Sequence, residues 1–476
     1  MNTLKRIACA CIAPALFAAC ASPAPPSSVP SAIPAQWHAP LPHHGALTDL
    51  SQWWQQQGDA LLVRLIDAAQ AVSPSIASAK ARIEQSRAVR VAAGAALLPT
   101  LDASISASRS SAQPPLPMGT TSQGALQSSW ELDLFGGNRA GRDAAQARLE
   151  GARAGWHEAR VSVAAEVANQ YYGLRACEKL LAITLADAAS RAEIARLSEL
   201  SANAGFQAPA TAALARASAA EGNGRVTQQR AQCDLDIKAL VALTAMPETD
   251  LRQALAAASP VAEPLAPMPI ASLPARVLAQ RPDVFAAEQE VAAAGADIGG
   301  TQAQRLPRLT LSGSVGAANF RSGGVNADLT TWSIGPVALS LPLFDGGRRV
   351  ANIDAAQARY DEAAANYRAT ARRAVREVEE ALVNLQSTSA RREDVLAAAQ
   401  GYRASFNATE SRYKNGLASL VELEESRRVL LAAETVTVAL ERDRRAAWTA
   451  LYRAAGGGWG GPSTADLSAQ RRTEID

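Results

Sequence analysis

The stretch Trp130–Arg148, WELDLFGGNRAGRDAAQAR, returns in altered form at Leu339–Arg359, LSLPLFDGGRRVANIDAAQAR. Each copy opens on apolar residues alternating with polar ones, passes a Leu-Phe and a Gly-Gly pair, and closes on the same hexapeptide, Asp143–Arg148 and Asp354–Arg359. Alternation before the glycines reads as a strand, and the alanine-rich run after them reads as a helix. Six matching residues prove little in so alanine-rich a chain, so the surroundings decide.

The match widens in both directions. Pro74 and Pro99 correspond to Pro282 and Pro307 at one constant offset, and Pro99 and Pro307 sit in the strings LPTL and LPRL. Downstream, Gly205 in NAGFQAPA corresponds to Gly416 in KNGLASLV at the offset of the hexapeptide. Ordered landmarks at near-constant spacing identify a tandem duplication. Repeat 1 is placed at 61–246 and repeat 2 at 274–456, with a proline-rich linker at 247–273 and a tail at 457–476.

Both repeats share one grammar. A helix-period segment (Leu61 to Ala96; Pro274 to Gln304) leads into two strands, expected at 100–112 and 125–135, then at 309–320 and 330–344. Leu101, Ala103, Ile105 and Ala107 alternate with Asp102, Ser104, Ser106 and Ser108, and Leu309, Leu311 and Val315 alternate with Thr310, Ser312 and Ser314. Leu126, Trp130, Leu132 and Leu134 stand opposite Gln127, Ser129, Glu131 and Asp133. The last strand carries Trp332 and Ile334, then Val337, Leu339, Leu341 and Leu343, a change of phase at Gly335-Pro336 that predicts a bulge. Loops rich in Pro, Gly and Ser are expected between the strands, including QPPLPMGTTSQG and RSGGVNAD. Beyond the strands, Val163, Val167, Tyr171, Leu174, Leu181 and Leu185 keep a helical period, as do Val375, Val378, Leu382 and Leu385. A helix from Gly141 to Ala202 spans roughly 90 Å at ~1.5 Å per residue, and helical hairpins turning near Gly205 and Gly416 follow.

Composition bounds the function. In this chain of 476 residues, 47 basic residues against 45 acidic ones leave a net charge of +2, and aromatics are 5%. Neither a field for nucleic acid nor a stacking platform follows, so nucleic-acid binding is set aside. Lys5 and Arg6 precede IACACIAPALFAAC, a run too short to cross a bilayer but suited to a signal peptide, 1–19. LFAAC ending at Cys20 has the form of a bacterial lipobox with Phe17 in place of the usual Leu; an ordinary signal peptide cut elsewhere is the alternative. Residues 20–60 then form a Pro/Ser/Ala tether, and Ala21 and Ser22 carry no aspartate of the inner-membrane retention kind, so outer-membrane sorting is expected. No other run of 18 apolar residues exists, so a membrane span must use strands. Four strands of about ten residues fit a bilayer, yet a closed barrel needs about eight or more, so oligomerisation is required.

These residues carry a resemblance. The two helix–strand–strand–hairpin halves with their Leu-Phe-x-Gly-Gly-like strand exits are similar to the TolC family of outer-membrane efflux ducts. The lipobox, SQWWQQQGDALLVRLIDAAQ, SPSIASAKARI and WSIGPVALSLPLFDGGR resemble its NodT-type lipoprotein branch, which pairs with resistance-nodulation-division (RND) pumps. The resemblance implies an α+β membrane duct: a homotrimer whose strands close one 12-stranded outer-membrane β-barrel and whose hairpins form a periplasmic α-barrel. It implies passive conduction from an inner-membrane RND pump and a periplasmic membrane-fusion adaptor, in contact with outer-membrane lipid, with neither cofactor nor catalysis. The family's acidic residues after the second turn fall on Glu422 and Glu425, a candidate periplasmic aperture with Glu where relatives often show Asp. The alternative is a solvated face in which Glu422, Glu424 and Glu425 pair with Arg427 and Arg428. AGFQAPAT, the first turn, has no carboxylate and serves adaptor docking or simple chain reversal.

Cys177 and Cys233 lie equally far before and after Gly205, so an antiparallel hairpin sets them at one height and a disulfide is expected in an oxidising compartment; two buried free thiols are the alternative. His38, His43 and His44 crowd the tether without carboxylate or cysteine, and His157 is isolated in a helix, so no metal site is assigned. GGGWGG from Gly456 follows a helix and suits a C-terminal cap rather than a phosphate cradle. No Ser-His-Asp or Cys-His constellation stands out. Two rivals differ in class: a trimeric envelope coiled-coil structural protein or adhesin, which would not need four alternating strands, and an envelope hydrolase, which would need a convergent pocket.

Overall fold

The computed structural model describes residues 52–111, 118–258 and 281–459, together with 29, 30 and 278. The signal peptide, Cys20, the three tether histidines and the tail beyond 459 lie outside the described residues. The chain divides into two compact units. The described residues of one lie mainly within Lys80–Ala154 and Phe285–Ala369, and those of the other within Ala32–Ala79, Gly155–Val284 and Thr370–Asp476.

The first unit is a four-stranded antiparallel meander with the helix ends that feed it. Strands β1 (Thr100–Ser110), β2 (Gly119–Leu132), β3 (Arg308–Ser322) and β4 (Val325–Ser340) pair in the order β1-β2-β3-β4. The two repeats thus meet at β2–β3, and β1 and β4 are left as open edges of the described sheet. Register puts the alternation to use: Ala103, Leu126, Val315 and Trp332 share one rung, and Asp102, Gln127, Ser314 and Ser333 share a rung on the opposite face. The apolar face is uncovered, with Ile105 93%, Trp332 74% and Ile334 87% exposed.

The ladder slips between Leu311–Val337 and Gly313–Ile334, so β4 spends an extra residue there and Ile334 and Val337 face the same way. That is the bulge expected at Gly335-Pro336. Strand ends differ from expectation. β3 and β4 run to within two residues of each other because Gly323 and Gly324, both at positive φ, turn the chain alone, so most of RSGGVNAD is strand rather than loop. β2 likewise begins at Gly119 instead of 125, whereas β4 stops at Ser340 rather than 344, short of Pro342, which has no N–H to give a ladder.

Helix α1 (Trp53–Gln56) precedes α2 (Ala60–Val72) and α3 (Pro74–Ala95), so the segment expected as one helix breaks at Ser73, before Pro74. α3 leads into β1, α4 (Gly137–Asn203) leaves β2, α7 (Pro282–Ala303) enters β3 and α8 (Arg348–Ala390) leaves β4. The strand exits use one device with different residues. Asp133 accepts from the Asn138 and Arg139 N–H groups (3.1 and 2.9 Å) and from Arg139 Nε. In the second repeat Asp345 accepts from the Gly347 and Arg349 N–H groups (3.1 and 3.2 Å) and from the Arg349 side chain. Each carboxylate satisfies orphan donors at a helix start and brings negative charge to its positive end. α4 approaches α7 closely: a Cβ on Gly151 would lie 3.5 Å from the Ala286 carbonyl oxygen, and one on Gly137 3.0 Å from Ala303. Arg148 pairs with Asp297 and Glu290 along the same seam.

In the second unit α4 turns back into α5 (Pro209–Thr244), followed by α6 (Glu248–Ala257), and α8 continues through a break at Arg391 into α9 (Arg392–Lys414) and back along α10 (Leu420–Ala454). α6 occupies the first part of the stretch expected as linker, 247–273, whose remainder from 259 lies outside the described residues. Pro247, acidic Glu248 and Asp250 in the first turn, and Leu251 and Leu255 one turn apart form a helix start and a buried stripe. The main core joins Leu62, Leu65, Val167, Leu174, Leu240, Leu251, Val378, Leu382 and Leu451 to an aromatic cluster in which Trp53 stacks on Tyr452 at 5.1 Å. Arg281 lies buried beside this core. It donates to Asp283 twice (3.0 and 2.7 Å), to Glu377 (2.8 Å) and to the Ala454 carbonyl (3.0 Å), fastening the start of α7 to α8 and to the end of α10. Among the described residues no single helix is long and apolar enough to cross a membrane.

Candidate functional site at the hairpin turns

Both turns are built alike. At the first, Gly205 (φ +75°) lets the Phe206 N–H reach back to the Ser201 carbonyl at 2.8 Å; at the second, Gly416 (φ +71°) lets the Leu417 N–H reach the Arg412 carbonyl at 2.7 Å. They differ in how the return helix starts. α5 opens with Pro209 and has no side-chain cap, whereas α10 has a capping box. Ser419 Oγ accepts from the Glu422 N–H (3.1 Å) and Glu422 Oε2 accepts from the Ser419 N–H (3.0 Å).

Glu422 and Glu425 are both exposed on the first turns of α10. Glu425 accepts from Arg428 at 3.0 and 2.5 Å, and these bonds hold its carboxyl below the usual carboxylate range. A solvated pair therefore describes Glu425 and Arg428. It does not describe Arg427, which is 2% exposed. Arg427 and Arg191 of α4 share two carboxylates. Arg191 reaches Asp187 and Glu424, each at 2.8 Å, and Arg427 reaches Glu424 at 2.5 Å. Arg427 Nε stands 3.4 Å from Asp187 Oδ1, an ion pair too poorly aligned to be a hydrogen bond. Arg191 also donates to Ser218 of α5, Arg427 to Ser190, and the Arg427 guanidinium lies 5.5 Å over the Phe406 ring of α9. Burial pulls the Arg427 guanidinium below its ordinary value, with Glu424 opposing and Arg191 adding to the shift. Ile194, Ala195, Ala215, Leu420 and Leu423 pack beside the quartet, so four helices converge here.

Cys177 and Cys233 are bonded, their Cα atoms 5.6 Å apart, joining α4 to α5. Cys233→Ser is expected to lower stability by about 2–4 kcal/mol, because the bond closes a long loop in the unfolded chain; a thermal melt with and without reductant checks this, and equal melts would assign the bond no weight. His157 packs edge-on against Trp156 at 4.8 Å, and burial together with Arg160 lowers its pKa. The described residues hold no group of three His, Cys, Asp or Glu side chains placed to bind a metal. Gly456, Gly457 and Gly458, all at positive φ, end α10, and the Gly457 N–H bonds the Tyr452 carbonyl at 3.0 Å. At the base of the sheet a cavity of about 620 Å³ opens between Leu132, Leu134, Pro307, Arg308 and Arg359.

Residues 65–245 and 273–457 match the profile of the outer membrane efflux protein family, one match per repeat. The chain belongs to that family. This efflux protein is 31% identical to the outer membrane protein OprJ of Pseudomonas aeruginosa, over 87% of this chain and 88% of OprJ. It is 29% identical to the pyoverdine export outer membrane protein OpmQ of Pseudomonas putida, over 96% and 98% of the two chains. Its fold matches the Campylobacter jejuni CmeC outer membrane channel with a TM-score of 0.84 at 23% identity, over 95% and 98% of the chains. It is an outer-membrane component of efflux with the fold of the TolC-like channels. The sequence expectation for the efflux protein named Glu422 and Glu425 but missed the quartet of Asp187, Arg191, Glu424 and Arg427. The spacings Asp187–Arg191 and Glu424–Arg427 were visible as helix pairs, yet nothing in one helix says that it faces another charged pair.

Proposed function

We propose that three copies of this chain close a 12-stranded barrel in the outer membrane and a helical tunnel in the periplasm, through which an RND pump and a membrane-fusion adaptor discharge small molecules. The observation that carries this is the four-stranded sheet with a continuous exposed apolar face and two open edges. Unpaired strand edges in hydrocarbon leave backbone groups unsatisfied, and four strands are too few to close, so the edges pair between copies. Two strands and one hairpin per repeat then serve six times around the axis. Cys20 anchors the tether in the membrane. The pump supplies energy and selects cargo; the duct filters by width and charge.

The turns at Gly205 and Gly416 form the periplasmic mouth in this reading, and three copies of Glu422 and Glu425 ring it as a cation-attracting aperture. Planar-bilayer conductance tests both levels. The purified protein is expected to give a small cation-selective pore that loses selectivity in Glu422→Gln/Glu425→Gln, where the amide oxygen at position 422 still accepts from the Ser419 N–H and only charge is lost. Unchanged selectivity returns the glutamates to a solvated face, and no pore from verified trimers favours the structural-protein alternative.

A further inference from the structure

At its hairpin ends, away from the helices, the apolar face of the sheet turns polar and charged. The face that carries Leu101, Ile105, Val315 and Trp332 ends in two polar rungs, Ala107–Ser122–Asn319–Asp328 and then Arg109–Thr120–Arg321–Asn326. The opposite face, which is polar lower down, is mixed at this level: Phe320, Leu329 and Val325 stand among Ser106, Ser108, Thr121 and Gln123, and a Cβ on Gly119 would sit 3.0 Å from the Phe320 ring. From Ala103 to Gly124 and from Gly313 to Ser333 the charged residues are Arg109, Arg321 and Asp328, all on the outward face.

Below these rungs five apolar ones, from Leu132–Leu309–Leu339 up to Ile105–Gly124–Ala317–Thr330, span about 27 Å along the strands. With a tilt of about 40° that is a belt roughly 20 Å tall, comparable with the apolar band of a membrane barrel. Arg109 and Arg321 thus stand just above the belt, at headgroup level. Both are exposed, and neither forms an ion pair among the described residues. Arg109 Nε donates to Met118 Sδ at 3.1 Å and Arg321 Nε to Asn326 Oδ1 at 3.4 Å, which leaves the forked ends of both guanidinium groups to other acceptors. Asp328 accepts from Asn319 at 2.7 Å. Charges that needed only water would be served equally well on the inner face, which lines the pore; that face carries polar and apolar residues at this level but no charged one.

We propose that Arg109 and Arg321 bind phosphate groups of a glycolipid headgroup in the outer leaflet around the barrel, an assignment that rests on the barrel reading above. Guanidinium forks match phosphate oxygens in pairs. Two of them on one rung, two strands and so about 9.5 Å apart, suit a headgroup with two phosphates.

The test uses the full-length protein and Arg109→Gln/Arg321→Gln in vesicles of phosphatidylcholine alone, with diphosphorylated lipid A, or with phosphatidylglycerol at equal charge. The heat-dissociation midpoint of the assembly is expected to rise by several degrees with lipid A for the wild type, by less than half as much with phosphatidylglycerol, and hardly at all for the variant. Lipid A retained per chain on extraction from native membranes should fall at least twofold in the variant. An equal rise in the variant, or an equal rise with phosphatidylglycerol, overturns the assignment. Conductance in phosphatidylcholine separates the two readings: a pore without the lipid A effect keeps the duct and overturns the lipid site, whereas a missing pore from verified trimers removes the duct on which the site rests.

Discussion

Arg281→Met should lower stability by about 3–5 kcal/mol, the cost of removing the buried member of an ion-pair network and stranding its partly buried carboxylates. Arg281 is 5% exposed and holds Asp283, Glu377 and the Ala454 carbonyl together. Methionine fills much of the volume and supplies no donor, so two carboxylates face each other across the gap. Arg281→Lys should recover only part of the loss, since an ammonium lacks the planar fork that meets Asp283 through two parallel bonds. Thermal melts of the detergent-solubilised protein decide it: full rescue by lysine would reduce the site to simple charge balance, and a loss below about 1 kcal/mol would make the clamp ornamental.

Asp187→Asn should act locally with similar size. Asp187 and Glu424 balance Arg191 and Arg427, and the two arginines are only 4% and 2% exposed. Asparagine preserves shape and removes one charge, leaving a net positive charge in the middle of four helices at a cost of about 3–5 kcal/mol. The low-cost relief is separation of α4 from α10 near the turns. Hydrogen exchange should accelerate at 187–198 and 420–427 while the sheet keeps its protection, and pore conductance should rise if those turns form the mouth. Unchanged exchange in both segments would show that water or a neighbouring group absorbs the charge.

Local periodicity made much of the fold legible. Alternation named the outward face of each strand, and the phase change at Gly335-Pro336 located the irregularity in the β3–β4 ladder. The cysteines were readable because a hairpin turns sequence symmetry about Gly205 into spatial proximity. Other features depend on geometry between distant segments. Arg427 looked like a surface residue beside Arg428, and only the arrival of α4 and α9 buries it. The Gly323-Gly324 turn was hidden because glycine-rich sequence serves long loops and two-residue turns equally well. α6 was obscured by prolines on both sides of a short amphipathic run.

The Cys177–Cys233 bond spans 56 residues and lies within one hairpin of the first repeat. The corresponding positions of the second repeat hold Thr388 and Arg444, so only one copy of the duplication has acquired the link. Because both sulfurs belong to the N-terminal half, the link can be made while the rest of the polypeptide is still being threaded through the export machinery. The chain would then deliver one finished, covalently closed arm on which the later-arriving second repeat can assemble.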